Sequence, residues 1–228
     1  MTIANQLTNS NPKTVRIFVI RHGQTDHNVK KILQGHRDID INENGEQQAK
    51  KVGERFKTVP LDGFITSDLI RCRKTADEIL VYQPELNPKV KVTEDLRERN
   101  MGPVEGMYIQ DAIAKYSENF RNLGEKEEQL VERVGRQWDD IIDESIEKGY
   151  QNYGFCTHGG VITTFTNYLH RSGYTLSTNL TADKLKVPFN TSVTVIDIDK
   201  ESRAGHIQLF GDTAHLGAQL EVKDQNVR

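Results

Sequence analysis

Two cysteines in 228 residues, Cys72 and Cys156, are too few for a disulfide framework. They read as reduced thiols in a reducing compartment. No apolar run approaches the roughly 20 residues of a membrane span. Residues 1–12 are polar and rich in Asn and Thr, and they lack the apolar stretch of a secretory signal. No internal repeat or long low-complexity stretch appears. Neither sign of charge dominates, with 30 basic against 33 acidic residues and a net charge of −3. That balance gives no basic surface for nucleic acid. A small anionic ligand stays open, because a few converging arginines matter more to it than net charge.

Hydrophobic residues make up 36% and charged residues 28% of the chain, which suits a soluble globular protein. The expected organisation is a flexible leader over residues 1–12 and one domain over 13–228. The expected location is the cytoplasm, with the nucleus also open. No membrane or nucleic-acid partner is expected, and the chain is expected as a monomer or homodimer.

Strand-like and helix-like patterns alternate. Val15 to Ile20 is a short β-branched run that reads as a buried strand, ending where Arg21-His22-Gly23 must open a loop. A helix opens near Asn42 and carries Ala49, Val52 and Phe56 on one face. Gly63 to Ser67 is a second strand, and Asp68 is the expected N-cap of the next helix. Val90 to Val92 is a third strand, followed by a loop from Leu96 to Gly106. Residues 107–126 form helices and loops over the sheet, a cap subregion. Residues 127–147 carry Leu130, Val134, Trp138, Ile141 and Ile142 at helical offsets. Tyr153 to Thr157 is a fourth strand, and His158-Gly159-Gly160 opens a helix. Residues 172–188 read as a polar connection. Ser192 to Ile198 and His206 to Phe210 read as an antiparallel closing pair. The fold class is α/β: a mainly parallel sheet with helices on both faces. Ligands of such sheets sit beyond the carboxyl ends of the strands. Arg21-His22-Gly23, Asp68 to Arg71 and His158-Gly159-Gly160 each follow a strand, so they fall on one edge.

Phosphoryl transfer through histidine needs a neutral imidazole, several donors for the non-bridging oxygens, and an acid for the leaving oxygen. His22 sits at a strand end between Arg21 and Gly23, and neighbouring arginines disfavour its charged form. Arg21 and Arg71 can fork onto phosphate oxygens. His158 lies at a helix N-terminus, where free N–H groups favour an anion. Glu98 lies in a loop and is the candidate acid. The bland alternatives are a loop histidine for His22, a structural His158, and a Glu98 that only pairs with an arginine. His27, His170 and His206 read as surface or packing residues, His36 either as a border of the substrate or as a residue with no role there, and His215 as a structural tie.

Six ordered blocks carry a specific resemblance. Arg21-His22-Gly23-Gln24-Thr25-Asp26-His27-Asn28 resembles the R-H-G-x-T-x-x-N motif of the histidine phosphatase (phosphoglycerate mutase-like) superfamily. The stretch Gln34 to Asp38 followed by Gly45 to Ala49 is similar to the family's next block. Ser67 to Ala76 matches its S-D-L-x-R-x-x-x-T-A block, and Leu96 to Gly102 with Glu105-Gly106 matches the loop holding its acid. Thr157 to Gly160 matches its second-histidine block, and Asn190 to Thr194 is also family-like. The resemblance implies that His22 becomes a phosphohistidine. It further implies that Arg21, Arg71 and His158 clamp the phosphoryl group, and that Asn28 and the Gln34-Gly35 backbone line the pocket beside Gly159. Glu98 is implied to protonate the leaving group and then activate water. No metal or cofactor is implied, and the partner is a small phosphorylated substrate such as a sugar phosphate.

The same resemblance covers mutases and phosphatases. The family's mutases carry an adjacent arginine pair and a proline-rich stretch after the acid loop. Neither occurs between Tyr108 and Glu128, and Met101 and Ile109 replace the mutases' Tyr and Lys. Gly124-Glu125 before a helix containing Arg133 resembles the phosphatases, and Glu105 near the mouth is expected to repel a second acidic group. The phosphatase branch is therefore preferred over a mutase. A silent module that only binds phosphorylated ligands is the third reading, and it is disfavoured because His22, Glu98 and both arginines are present. Rival phosphatase chemistries fail. Neither cysteine has an arginine six positions later, where Glu78 and Ile162 stand. The D-x-D at Asp197 to Asp199 is followed by Glu201 where Thr or Val would be needed.

Overall fold

One sheet holds a parallel half and an antiparallel half, in the order β3-β2-β4-β1-β6-β7-β5. The computed structural model describes residues 7–85 and 90–217. The central strand β1 (Thr14–Arg21) runs parallel to β4 (Asn152–Thr157), which runs parallel to β2 (Gly63–Ser67), which runs parallel to β3 (Lys91–Thr93). On the other side β6 (Val193–Asp199) lies antiparallel to β1, and β7 (Gly205–Asp212) antiparallel to β6. The short strand β5 (Thr175–Leu176) lies parallel to β7 at the edge. Four of the six pairings are parallel, as the alternating pattern led one to expect. Residues 172–188, read as a plain connection, contribute that edge strand.

The β1 run is apolar on both faces because both faces are covered. Val15, Ile17 and Val19 point into a core with Leu130, Val134, Trp138 and Ile141 of α5 (Glu127–Lys148) and with Phe165 and Leu169 of α6 (Gly159–Arg171). Phe18 and Ile20 point the other way. They meet Val52 and Phe56 of α2 (Glu43–Phe56), and Cys72, Ala76 and Ile79 of α3 (Ile70–Leu80). Both cysteines are buried free thiols. Burying each Val, Leu, Ile or Phe side chain of these two cores is worth about 1.5–3 kcal/mol.

Residues 107–126 build a small layer of their own. The helix α4 (Ile109–Tyr116) and a 3-10 stretch, Ser117–Asn122, cover Leu33, Val104, Ile109, Ala112 and Phe120.

The structure corrects two local expectations. Asp68 does not cap α3. It forms a forked ion pair with Arg97 at 2.5 Å, and the helix start is instead capped from a distance, where Asp38 Oδ1 accepts the Ile70 N–H at 2.7 Å. The expected leader is anchored from Leu7 onward. Leu7 is 1% exposed in the core beneath α2 and α3, and the Asn9 amide donates to the carbonyls of Thr14 and Gln151. The first six residues of the expected leader lie outside the described residues.

Candidate active site

Register puts the ends of three strands in line. Ile20 faces Cys156 and Arg21 faces Thr157 across β1 and β4, while Thr66 faces Cys156 across β2 and β4. The next residues along each strand therefore meet at one edge: His22 after β1, Ser67 and Asp68 at the end of β2, and His158 after β4. Arg21, His22, Arg71, Glu98 and His158 are all buried there, none more than 3% exposed.

His22 is held through its backbone and its ring. Its N–H donates to Thr157 O at 3.0 Å, and its carbonyl accepts the Asn190 side-chain amide at 3.0 Å. Nδ1 lies 2.7 Å from the carbonyl oxygen of Gly23. A carbonyl only accepts, so Nδ1 carries the proton and the ring lone pair sits on Nε2. The loop turns tightly because Gly23 and Gly45 touch backbone to backbone, and a Cβ on Gly23 would lie 2.7 Å from Gly45 O. The Gly23 N–H is satisfied by Thr75 Oγ1 at 2.9 Å.

Arg71 ties three segments of this edge together. Its two terminal nitrogens donate to the carbonyls of Arg37 (2.7 Å) and Gly35 (2.9 Å), and Nε donates to His158 Nδ1 at 3.2 Å. Arginine is a donor only, so His158 Nδ1 accepts and Nε2–H points to Ser67 Oγ at 3.0 Å. Burial, followed by the charge of Arg71, pushes the His158 imidazole well below its ordinary value, so it is neutral near pH 7. The two imidazoles stand 5.2 Å apart between ring centres. Arg21 donates to Pro188 O at 2.5 Å. Gly159 makes room for it, since a Cβ there would lie 3.0 Å from Arg21 Nε.

Glu98 approaches from the loop after β3. One carboxylate oxygen accepts the Arg99 N–H and the other the Gly160 N–H at the start of α6, both at 3.0 Å. It borders a cavity of about 240 Å³ whose walls include Arg99, Met101, Phe120, Arg121 and Thr164. Asn28 lies in the short helix α1 (Asp26–Lys30), its Oδ1 tied to Thr25 and to Asn190. Its Nδ2 has no hydrogen-bond partner among the described residues. Gln34 is buried, and its Oε1 likewise has no partner among them.

Of the residues chosen from sequence, Glu98 lines that cavity, while Arg21, His22, Arg71 and His158 lie buried at the strand ends. Gly35 differs from expectation in what it holds: its carbonyl supports Arg71, and its φ of +51° brings the backbone against Glu105. Glu105 does not line the cavity beside Glu98. Its Oε1 accepts the N–H groups of His36 and Met101, so it braces two loops. Three positioning residues escaped the sequence reading as individuals: Ser67, Thr75 and Asn190. All three lie inside the motif blocks quoted above, which was the available signal. His215 is a tie, as expected: its ring bridges Arg55 (3.2 Å) and Thr191 Oγ1 (3.3 Å). Among the described residues no group of three or more His, Cys, Asp or Glu side chains could hold a metal ion, and no helix is long and apolar enough to cross a membrane.

Comparison with known proteins identifies the family. The family model of the histidine phosphatase superfamily (branch 1) matches residues 17–213. The chain is 40% identical over 228 residues to the broad-specificity phosphatase YOR283W of Saccharomyces cerevisiae, covering 96% of each chain. It is 35% identical to a probable phosphatase of Schizosaccharomyces pombe, over 90% of this chain and 97% of that one. A solved mycobacterial glucosyl-3-phosphoglycerate phosphatase shares the fold, with a TM-score of 0.73 at 22% identity over 88% of this chain and 100% of that chain. The chain belongs to the histidine phosphatase superfamily, on its phosphoglycerate mutase-like phosphatase branch. It is a phosphatase-type enzyme of that family.

Proposed function

We propose that the chain hydrolyses phosphomonoesters through a phosphohistidine on His22 Nε2, without a metal. The observation that carries this is the His22 Nδ1–H bond to the Gly23 carbonyl, which puts the nucleophilic lone pair on Nε2 at the sheet edge where Arg21, Arg71 and His158 are also buried. Nε2 attacks phosphorus and the ester P–O bond breaks. Glu98, protonated, gives its proton to the departing alkoxide. The Glu98 carboxylate then takes a proton from water as that water attacks the phosphohistidine, releasing phosphate and restoring both groups. Arg21, Arg71 and the α6 N-terminus balance the charge on the transferring phosphoryl oxygens. Asn28 Nδ2 is a further donor for them. The cavity of about 240 Å³ beyond Glu98 suits a leaving group of sugar size, with apolar and polar walls. Sugar phosphates are the substrates this reading favours.

The test is phosphate release across a panel of phosphate esters in EDTA, run beside a 3-phosphoglycerate mutase assay and with His22→Ala. Release that survives chelation, and is abolished together with an acid-labile phosphoenzyme in the folded variant, supports the reading. Substantial turnover by His22→Ala, or release lost on chelation, rejects it. Mutase turnover with little release points to the mutase reaction, and silence in both assays to a binding module.

A further inference from the structure

Arg133, on α5, reaches the back of the loop that carries Glu98 and uses all of its nitrogens there. One terminal nitrogen donates to the carbonyls of Asp95 (2.6 Å) and Arg97 (2.8 Å), and the other to Glu98 O (3.2 Å). The same guanidinium forks onto Glu125, Nε to Oε1 at 2.6 Å and the second terminal nitrogen to Oε2 at 2.8 Å. Glu125 then holds the far side of the loop. Its Oε2 accepts the Asn100 N–H at 3.1 Å, and its own N–H donates to Asn100 O at 2.8 Å. Arg99 closes the ring by donating to the carbonyls of Leu123 and Glu125. The residues on either side of Glu98 are therefore fastened to one part-buried ion pair, whose side chains are 13% and 11% exposed. Burial raises the Glu125 carboxyl, but the Arg133 bond and charge outweigh it and hold the group below the usual carboxylate range.

An ion pair this far withdrawn from water is weak evidence for stability, since desolvation offsets its attraction. What this pair does supply is geometry. A planar fork satisfied at every position allows one arrangement of three carbonyls and one carboxylate. Neither Arg133 nor Glu125 lines the cavity beside Glu98. We infer that the Glu125–Arg133 pair is a positioning brace for the proton donor, fixing the Glu98 carboxyl at the Gly160 N–H and over the leaving-group cavity. The same brace joins the acid to the cap. Phe120 and Arg121 of the 3-10 stretch wall the cavity, and the chain runs from them through Leu123 and Gly124 to Glu125. Contact of a leaving group with the cap is thus carried to the acid over a few residues of stapled backbone.

This inference rests on the reading of Glu98 as proton donor, and its test separates the two. An alkyl phosphate needs a proton on its leaving oxygen, whereas p-nitrophenyl phosphate hardly does. Values of kcat/KM report the first chemical step for both substrates. They are compared for Glu125→Gln, which keeps size and acceptors, for Arg133→Lys, which keeps charge but loses the fork, and for Glu98→Gln, after circular dichroism shows a native fold. The expected result is a loss of tenfold or more on the alkyl phosphate for either brace variant, with p-nitrophenyl phosphate within about threefold of wild type. Glu98→Gln combined with Glu125→Gln should lose little beyond Glu98→Gln alone, because both act on one group. Equal losses on the two substrates, or wild-type kinetics in the folded variants, overturn the brace. A Glu98→Gln enzyme with no preference between the substrates removes the donor assignment and the brace with it. A selective loss in Glu98→Gln without one in Glu125→Gln or Arg133→Lys removes the brace alone.

Discussion

Replacing Gly160 by alanine should separate catalysis from stability. Gly160 lies in the first turn of α6 and is not among the glycines with positive φ. Alanine there lowers the backbone entropy cost of glycine, a gain on the order of 0.5–1 kcal/mol. The new Cβ would overlap Glu98 Oε1 and stand 3.1 Å from the carboxyl carbon. Carbon atoms settle at about 3.5–4.0 Å, so one side must yield. The carboxyl is the far end of a rotatable side chain, and it yields before the helix backbone does. A swing of about 1 Å breaks the bond from the Gly160 N–H and takes the proton out of line; misplacement on that scale costs on the order of 10²-fold in rate. The expected result for Gly160→Ala is a fall in kcat/KM on an alkyl phosphate of about that size, a much smaller fall on p-nitrophenyl phosphate, and a melting temperature at or slightly above wild type. Steady-state kinetics on both esters and a thermal melt check it. Wild-type activity on the alkyl ester would falsify the reasoning about Glu98. A melting temperature lowered by more than about 5 °C would show that the backbone had yielded instead.

Two more predictions concern stability. Gly135, inside the 22-residue helix α5, has only Phe165 Cε2, at 4.0 Å, near an added Cβ. Gly135→Ala should raise stability by about 0.5–1 kcal/mol, or about 1–4 °C in melting temperature, with kcat/KM unchanged; a lower melting temperature rejects the packing argument. His215 is held at about 4 by burial and by the charge of Arg55, against 6.5 for a free imidazole. The unfolded chain therefore binds the extra proton between those values, and stability falls as pH falls from about 6.5 to about 4. At about 1.4 kcal/mol per unit the full loss is about 3 kcal/mol, and His158 acts in the same direction. Urea unfolding of His215→Gln should show a flatter pH slope than wild type over that range, and equal slopes would dismiss His215 as a contributor.

What the sequence made legible was whatever is encoded locally. The run from Val15 to Ile20 reads as a doubly covered strand because burial on both faces leaves no polar alternation. His22, Arg71 and His158 stand out because each follows a strand, and the edge rule for parallel sheets gathers strand ends without any knowledge of register. Features set by distant partners stayed hidden. Thr175–Leu176 has no strand pattern of its own, and pairing with β7, about 30 residues further on, makes it a strand. Asp68 is a good N-cap by residue type, yet the forked bond to Arg97 claims its carboxylate and Asp38 takes over the capping. Glu105 read as a charge at the mouth, and two backbone N–H groups turn it into a brace. Ser67, Thr75 and Asn190 are common polar residues whose roles exist only once His158, Gly23 and His22 lie beside them.

The two glycine substitutions sharpen this distinction between local and distant causes. Gly135 and Gly160 both lie in helices at ordinary φ, so residue-level reasoning assigns them the same gain on becoming alanine. They differ only in what stands opposite. Gly135 has one ring atom at 4.0 Å, and Gly160 has the carboxyl group of Glu98. The intrinsic term therefore cancels between them, and the difference in their activities measures the tertiary contact alone. The same logic covers Gly23 against Gly45 and Gly159 against Arg21, where the edge that gathers the candidate residues again depends on close approach of one element to another. In this site the reacting groups come from separate strand ends and loops, and their aim is set by residues that need never touch the substrate. Losses in kcat/KM at such positions, with melting temperature kept, are the expected signature of that division.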